Sequence, residues 1–265
     1  MEGIIMADIR DFSLDYFSLK GKTAIVTGAN QGLGMAYALA FAKAGADLFI
    51  PHYTEETREV KELVEAEGGR VEFVRGDLSN RAHIDEIING CIDKYGKIDI
   101  LVNNAGTNHF EDVMTFPDEQ YRRVMDVQLN AVYYMTHEAG KVMAKNGGGK
   151  IINIGSALSF TADNNCPPYI IAKHGVIGIT RYFASDLGKY NVQVNALCPG
   201  FFYSEMNAAI SDNKEFYDHI TNRIPTGRWG VSHDLMGAIV FLASRASDYM
   251  TGWYISVDGG FATTV

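Results

Sequence analysis

The chain has 265 residues, of which 47% are apolar and 21% are charged, a composition typical of a globular protein. Its net charge of -9 at pH 7 argues against nucleic acid as a partner, because binding to phosphates needs a basic surface. No apolar stretch approaches the roughly 20 residues that a membrane span needs, and the N-terminus lacks the basic and apolar regions of a secretory signal.

Short apolar strands alternate with helices after an N-terminal extension of residues 1–20. The predicted strands are 23–27, 47–52, 71–75, 98–103, 150–154, 192–196 and 253–257. The predicted helices are 32–44, 54–67, 81–95, 118–145 with a break, 168–189 and 235–243, and residues 201–230 are expected to form a loop with short helices. This pattern predicts one α/β domain over residues 21–265, a Rossmann-type doubly wound parallel sheet with helices on both faces.

A glycine-rich loop connects the first predicted strand to the first predicted helix. It contains Gly28, Asn30, Gln31, Gly32, Leu33 and Gly34 in the spacing Gly-x-x-x-Gly-x-Gly. Glycines allow a tight turn and a close approach to a pyrophosphate, and the helix N-terminus offers free N–H groups. An ordinary glycine-rich turn is the alternative, but the context favours a dinucleotide site at the carboxyl ends of the strands.

A second set of residues indicates the chemistry. Tyr169 and Lys173 stand four residues apart on a predicted helix, so both side chains lie on one face. A cation there should bring the tyrosine pKa down from about 10 toward neutrality, which makes the phenol a usable proton donor and acceptor. With Ser156 upstream, the pattern predicts hydride transfer between a nicotinamide dinucleotide and a carbonyl carbon.

The end of the second strand is expected beside the adenine ribose, where a carboxylate would favour NAD and a cation NADP. His52 and Tyr53 stand there, and the loop residues Asn30 and Gln31 are uncharged too. With no adjacent cation for a 2′-phosphate, we expect NAD, and NADP stays the alternative. Asp77 and Leu78 are expected to hold the adenine, or else to begin the next helix.

The ordered motifs resemble those of the classical short-chain dehydrogenases/reductases, over about residues 20–260. They are Thr27-Gly28-x-x-x-Gly32-x-Gly34, Asp77, Asn103-Asn104-Ala105-Gly106, Ser156, Tyr169-x-x-x-Lys173, Asn195, Pro199-Gly200 and Asp258-Gly259-Gly260. The resemblance implies that the cofactor also contacts Asn104, Ala105, Gly106, Pro199, Gly200, Phe202, and Ser204 where threonine is usual. It implies a homotetramer as well, built on the long helices and the last strand.

The resemblance also implies catalytic roles. Tyr169 transfers the proton, Ser156 hydrogen-bonds the substrate oxygen, and Lys173 lowers the tyrosine pKa and holds the nicotinamide ribose. Many members carry a fourth catalytic residue, an asparagine in a locally distorted helix, and Gln128 stands at that place here. Glutamine has the same amide one methylene further out, so this position departs from the family pattern for the proton relay. Asn130 should face elsewhere.

Near the C-terminus the chain resembles the 2-dehydro-3-deoxy-D-gluconate 5-dehydrogenases and gluconate 5-dehydrogenases, through the runs 223–230, 234–237 and 241–249. That branch implies a sugar-acid substrate, whose carboxylate calls for an arginine or backbone N–H groups. The segments 107–109 and 161–165 should face the substrate; they are polar but contain no arginine. A neutral polyol or cyclitol, an apolar ketone, and a non-catalytic dinucleotide sensor therefore remain alternatives.

Two further expectations concern single residue types. Arg223 and Arg228 are expected to serve the scaffold more than the substrate. His109 is either a substrate contact or a plain loop residue. The three cysteines have no metal-ligand spacing, and their odd number fits a reducing cytoplasm: Cys91, Cys166 and Cys198. No metal is expected.

Overall fold

A computed structural model describes residues 8–54, 57–203 and 213–263. The strands are β1 Thr23–Val26, β2 Asp47–His52, β3 Val71–Arg75, β4 Ile100–Asn103, β5 Gly149–Ile154, β6 Val192–Pro199 and β7 Tyr254–Val257. The α-helices are α1 Gly32–Lys43, α2 Arg58–Ala66, α3 Arg81–Tyr95, α4 Asp118–Met125, α5 Ala131–Lys145, α6 Pro167–Leu187, α7 Lys214–Asn222 and α8 His233–Ala243.

The seven strands form one parallel sheet in the order β3-β2-β1-β4-β5-β6-β7. The chain moves outward in one direction from β1 to β3 and then returns to pair β4 with β1, so the strand order reverses between β1 and β4. This reversal is the switch point where such sheets bind ligands. The predicted doubly wound parallel sheet is confirmed.

Helices cover both faces of the sheet because the strands are apolar on both sides. In β1, Ala24 and Val26 pack against α1 and α8, whereas Ile25 between them packs against α3 and α5 on the opposite face. Successive strand residues point to opposite faces, so a fully buried strand needs apolar residues at every position. All four residues of β1 are accordingly buried.

A buried polar network ties the two central strands to the helices on one face. The Asn103 side chain donates to Asn153 Oδ1 at 2.8 Å and to Thr136 Oγ1 at 3.0 Å, and Asn153 donates to Thr180 Oγ1 at 3.0 Å. Buried amides must be paired, and a satisfied network fixes one arrangement of its parts. It holds β4, β5, α5 and α6 together directly behind the ends of the strands.

Element boundaries differ from the sequence expectation in two informative places. The predicted break in 118–145 is a π-helical segment, Asp126–Asn130, between α4 and α5. Strand β6 continues to Pro199, beyond the expected end at 196, because Cys198 and Pro199 pair with Ser256 and Val257 of β7. Both differences lie at the edge of the sheet that carries the candidate site.

Part of the N-terminal segment lies on the body of the protein. Leu19 is buried, Phe17 packs near Phe241 of α8 with ring centroids 6.4 Å apart, and Arg245 lies over the Tyr16 ring. Phe12 and Leu14, by contrast, are mostly exposed.

None of the helices in the described ranges is long and apolar enough to cross a membrane. Within the same ranges, no group of His, Cys, Asp and Glu is arranged to hold a metal ion.

Candidate active site

A cavity of about 410 Å³ lies at the carboxyl ends of the central strands, across the switch point. The predicted site residues that line it are Gly28, Asn30, Gln31, Gly32, Leu33, Gly34, His52, Tyr53, Asp77, Leu78, Asn104, Ala105, Gly106, Gln128, Ser156, Tyr169, Lys173, Pro199, Gly200 and Phe202. Ser204 lies outside the described residues. The structure thus brings into one cavity residues as far apart in the sequence as Gly28 and Phe202.

The glycine loop is held tightly against the loop that follows β4. Gly28 and Gly32 have positive φ values of 64° and 57°, a backbone region that favours glycine. A Cβ on Gly34 would lie 2.5 Å from Asn104 Nδ2, so only glycine fits there. Asn104 Nδ2 in turn donates to the Thr27 carbonyl at 2.9 Å.

The N-terminus of α1 fits a pyrophosphate. Its N-cap residue, Gln31, makes no side-chain capping hydrogen bond, so the first-turn N–H groups have no side-chain acceptor among the described residues. Orphan N–H groups and the helix dipole together attract an anion. Because this end opens into the cavity, the residues present fit the diphosphate of a dinucleotide.

Ser156, Tyr169 and Lys173 meet at the inner end of the cavity. Ser156 lies two residues after the end of β5, and its hydroxyl accepts from the Leu158 N–H at 3.1 Å. Tyr169 and Lys173 lie on α6, with Lys173 Nζ 5.5 Å from the tyrosine ring centroid. Lys173 Nζ donates to the Ile154 carbonyl at 2.7 Å, which fixes the ammonium beside the end of β5.

Burial shifts both titratable groups toward their neutral forms. It raises the pKa of Tyr169 to about 12, against the smaller lowering effect of the hydrogen bond with Ser156. It also lowers the pKa of Lys173 to about 8. The direction of the tyrosine pKa is opposite to the one expected from the i, i+4 spacing, because desolvation of the phenolate dominates and the hydrogen bond with Ser156 offsets only part of it.

Gln128 lies in the π-helical segment, and its side chain is buried. Its Nε2 donates to the Thr107 carbonyl at 2.8 Å, and it packs so closely on Gly106 that a Cβ there would lie 2.7 Å from Nε2. The wider turn of a π segment displaces one residue from the helical register, a feature often found at functional sites. Asn130 bonds Asp126 on the exposed side of the segment, as expected.

A second cavity, of about 460 Å³, adjoins the first. Ser156, Tyr169 and Gly200 line both, so the hydroxyls of the serine and tyrosine lie where the two cavities meet. Its further polar lining residues are Asn108, Glu111, Asp163, Asn164, Asn165 and Asn213, and its apolar lining includes Phe110, Leu158, Cys166, Phe201 and Phe216. A two-part site of this kind can hold a dinucleotide on one side and a small substrate on the other.

Several residues considered from the sequence lie outside both cavities. His109 packs edge-on against Phe116, with centroids 5.5 Å apart, and lines neither cavity. Arg228 pairs with Asp234 at 2.7 Å on the surface, and Arg223 lies over the Phe261 ring. Neither arginine is among the described residues that line the two cavities.

Sequence reasoning missed Arg123, which lines the dinucleotide cavity from α4. Its Nη1 donates to both carboxylate oxygens of Asp77, at 2.9 and 2.8 Å. The two residues are 46 positions apart. The sequence carried no signal for this pairing.

The doubly wound sheet, the glycine loop at its switch point and the adjoining two-part cavity define the class: an NAD(P)-dependent oxidoreductase. A family model described as enoyl-(acyl carrier protein) reductase matches residues 28–262. The chain belongs to the short-chain dehydrogenase/reductase family, as its ordered motifs indicated.

Individual relatives agree over nearly the whole chain. It is 43% identical over 250 residues to the uncharacterized oxidoreductase YgcW of Escherichia coli, covering 94% of this chain and 96% of that one. It is 43% identical over 247 residues to the 2-dehydro-3-deoxy-D-gluconate 5-dehydrogenase of Bacillus subtilis, covering 93% and 97%.

A solved structure gives the same picture for the fold. The gluconate 5-dehydrogenase of Burkholderia cenocepacia, in complex with NADP and tartrate, matches with a TM-score of 0.91 and 35% identity. The match covers 95% of this chain and 99% of that one.

Proposed function

We propose that the chain transfers a hydride between a nicotinamide cofactor and the secondary alcohol or ketone of a sugar acid. The observation that carries the proposal is the junction of the two cavities at Ser156, Tyr169 and Gly200, with Lys173 directly behind. A substrate in the second cavity would lie with its oxygen at the two hydroxyls and its carbon toward the first cavity. The nicotinamide ring, when bound, supplies or accepts the hydride.

The three side chains divide the remaining work. Tyr169 gives a proton to the carbonyl oxygen during reduction and takes it back during oxidation. Ser156 donates a hydrogen bond to the same oxygen and stabilises the negative charge that develops on it. Lys173, anchored on the Ile154 carbonyl, is placed to hold the nicotinamide ribose when the cofactor is bound.

Support for a sugar acid comes from the relatives and from the side chains that line the second cavity. Two relatives named for gluconate derivatives share 43% and 35% of their residues with this chain, and the latter structure holds tartrate, a hydroxy acid. The cavity lining combines the carboxamides of four asparagines, Asn108, Asn164, Asn165 and Asn213, with the rings of Phe110, Phe201 and Phe216. Amides suit the hydroxyl groups of a carbohydrate, and aromatic rings suit its C–H face.

A second candidate is a neutral polyol or cyclitol. The cavity contains two carboxylates, Glu111 and Asp163, and none of its lining residues in the described ranges is a lysine or arginine. A substrate carboxylate would meet like charges there, which is unfavourable in a partly desolvated site. The electrostatics of the cavity therefore favour this candidate, whereas the relatives favour the sugar acid.

A substrate panel separates the two candidates. We expect NADH oxidation, followed by absorbance, with 3-deoxy-2,5-diketo sugar acids and 5-ketogluconate, and little with an apolar ketone. Turnover confined to neutral cyclic ketoses would contradict the sugar-acid proposal and support the second candidate. Tight binding of NADH without turnover of any substrate would favour a sensor.

The variant Asp163→Asn adds a test of the cavity charge. It should raise kcat/KM for anionic substrates more than for neutral ones of the same size, because a like charge is removed. An equal effect on both would show that Asp163 does not act on the substrate through its charge.

For the cofactor we propose NAD. The end of β2 presents His52, Tyr53 and Thr54 to the cavity, and none of the three carries the fixed positive charge that a 2′-phosphate calls for. Arg123, the cation near them, is already paired with Asp77. A clearly higher kcat/KM with NADPH than with NADH would contradict this proposal.

We also propose a homotetramer in the cytoplasm. Exposed aromatic and aliphatic side chains on α5 and α6 support an interface there: Tyr133, Tyr134, Ile171 and Tyr182. All three cysteines are free and buried, which suits a reducing compartment.

A further inference from the structure

The adenosine end of the dinucleotide cavity contains a charged cluster that the Ser/Tyr/Lys chemistry does not use. Asp77, at the end of β3, and Arg123, at the end of α4, both line the cavity beside Tyr53 and Leu78. Lys173 is the other cation that lines this cavity among the described residues, and it belongs to the opposite, catalytic end. Arg123 is thus positioned to act on the adenosine half of a bound dinucleotide.

The hydrogen bonds in the cluster fix the orientation of the Asp77 carboxylate. Oδ1 accepts from the Ser79 N–H at 2.9 Å, the Ser79 hydroxyl at 2.8 Å and Arg123 Nη1 at 2.9 Å. Oδ2 accepts from Arg123 Nη1 at 2.8 Å and has no other partner among the described residues. A carboxylate oxygen has two lone pairs, so Oδ2 can accept one more hydrogen bond.

The protonation state of Asp77 matches this role. Burial alone would raise its pKa, but the Ser79 N–H and the Arg123 guanidinium lower it, and the net direction is downward. The group therefore stays a carboxylate, which accepts hydrogen bonds and does not donate them. Its chemical complement in the adenosine half is a hydrogen-bond donor, which the anionic phosphates are not. The donors there are the exocyclic amine of adenine and the ribose hydroxyls, and the amine belongs to the base that Asp77 and Leu78 are expected to hold.

Arg123 is poorly placed to take a 2′-phosphate as its main ligand. Its charge is compensated by Asp77, and its Cζ lies 5.4 Å from the centroid of the Tyr53 ring. Releasing the guanidinium to a phosphate would leave a partly buried carboxylate unpaired, which is costly.

We propose that Arg123 is a positioning residue for adenine recognition, holding Asp77 so that Oδ2 accepts a hydrogen bond from the exocyclic amine. The inference rests on the proposed function in that the cavity must bind a nicotinamide dinucleotide. It adds a residue on α4, outside the glycine loop and the Ser/Tyr/Lys set, that selects the base of the cofactor.

The test is equilibrium binding, by titration calorimetry, of four reduced probes to the full chain. The probes are NADH, NADPH, the hypoxanthine analogue of NADH, which has a carbonyl oxygen in place of the amine, and reduced nicotinamide mononucleotide, which has no adenosine. The wild-type chain should bind NADH about tenfold more tightly than the hypoxanthine analogue, the effect of one hydrogen bond to a charged acceptor.

Arg123→Gln should reduce the preference for NADH over its hypoxanthine analogue to about twofold or less, because the Asp77 carboxylate is then mobile and no longer favours the amine. The affinities for NADH and NADPH should fall by similar factors, while binding of the mononucleotide stays unchanged and shows that the site is intact.

Asp77→Asn should reduce the preference for NADH over the hypoxanthine analogue as well, because an amide can donate to the hypoxanthine oxygen. Arg122→Gln is the matched control: it makes the same change on the exposed side of α4 and should leave all four affinities unchanged.

Three results would overturn the inference. An unchanged ratio in Arg123→Gln would show that the arginine does not position Asp77. Weakened binding of NADPH alone would make Arg123 a ligand of the 2′-phosphate. A wild-type chain that binds the mononucleotide and no dinucleotide would refute adenine recognition, whereas failure to bind any of the probes would refute the proposed function itself.

Discussion

The most informative single residues are Tyr169 and Lys173, whose burial opposes the chemistry that their spacing suggests. The pKa of the phenol is raised to about 12 and that of the ammonium is lowered to about 8. Both shifts favour the neutral forms of the two side chains. A positive charge near the phenol would lower the tyrosine pKa, so we expect the phenolate to form only when cofactor and substrate are bound.

The lowered pKa of Lys173 makes a prediction about stability. Between pH 8 and 9.5 the unfolded chain holds the lysine proton and the folded chain loses it, so the free energy of unfolding should rise with pH. Relative to Lys173→Met, the wild type should gain about 2 kcal/mol over this range, measured by urea denaturation at both pH values. A difference that is constant or falls with pH would contradict the assigned shift.

The sequence predicted individual site residues well where a local pattern existed. The Tyr169/Lys173 pair shares one helix, and the glycine loop is contiguous, so both could be seen without a structure. Arg123 could not, because its partner Asp77 is 46 residues away and the pairing depends on how α4 crosses the sheet edge. The pKa direction of Tyr169 was wrong for a similar reason: burial is not a local property.

At the scale of elements, the π-helical segment Asp126–Asn130 is the clearest departure from regular structure near the site. The sequence predicted a break in the helix over residues 118–145 but not its kind. The segment turns Gln128 inward, where it bonds the loop after β4 through the Thr107 carbonyl. The segment thereby links the α4–α5 junction to the cavity.

We predict that Gln128→Ala lowers turnover and changes the pH–rate profile, because the loop at Thr107 loses its anchor. The profile should be measured over the range in which Lys173 titrates. Asn130→Ala is the matched control, since this residue bonds only Asp126 on the exposed side. If the two variants gave the same profile as the wild type, Gln128 would have no role in proton transfer.

For the molecule as a whole, strand order determined the site. The alternation of strands and helices predicted a parallel sheet, and the parallel strands brought the cavity-lining loops that follow β1 to β6 to one edge. The second cavity was harder to foresee, because segments 108–111, 156–166, 200–201 and 213–216 come together only in three dimensions. Its negative charge likewise depends on that assembly.

The proposed tetramer gives a prediction at the same scale. Light scattering should give a mass about four times the 29.2 kDa of one chain. Tyr182→Asp should lower the mass, because it puts a charge on the exposed apolar face of α6, whereas Lys61→Asp on α2 should not. A monomeric wild type would contradict the proposal.

The central claim is that Tyr169 transfers the proton in a dinucleotide-dependent oxidation or reduction. The most direct test compares wild type and Tyr169→Phe by nicotinamide absorbance with the best substrate of the panel, and by NADH binding. The variant should lose at least about a hundredfold in kcat/KM while its affinity for NADH changes little. Turnover near the wild-type rate in Tyr169→Phe would contradict the account.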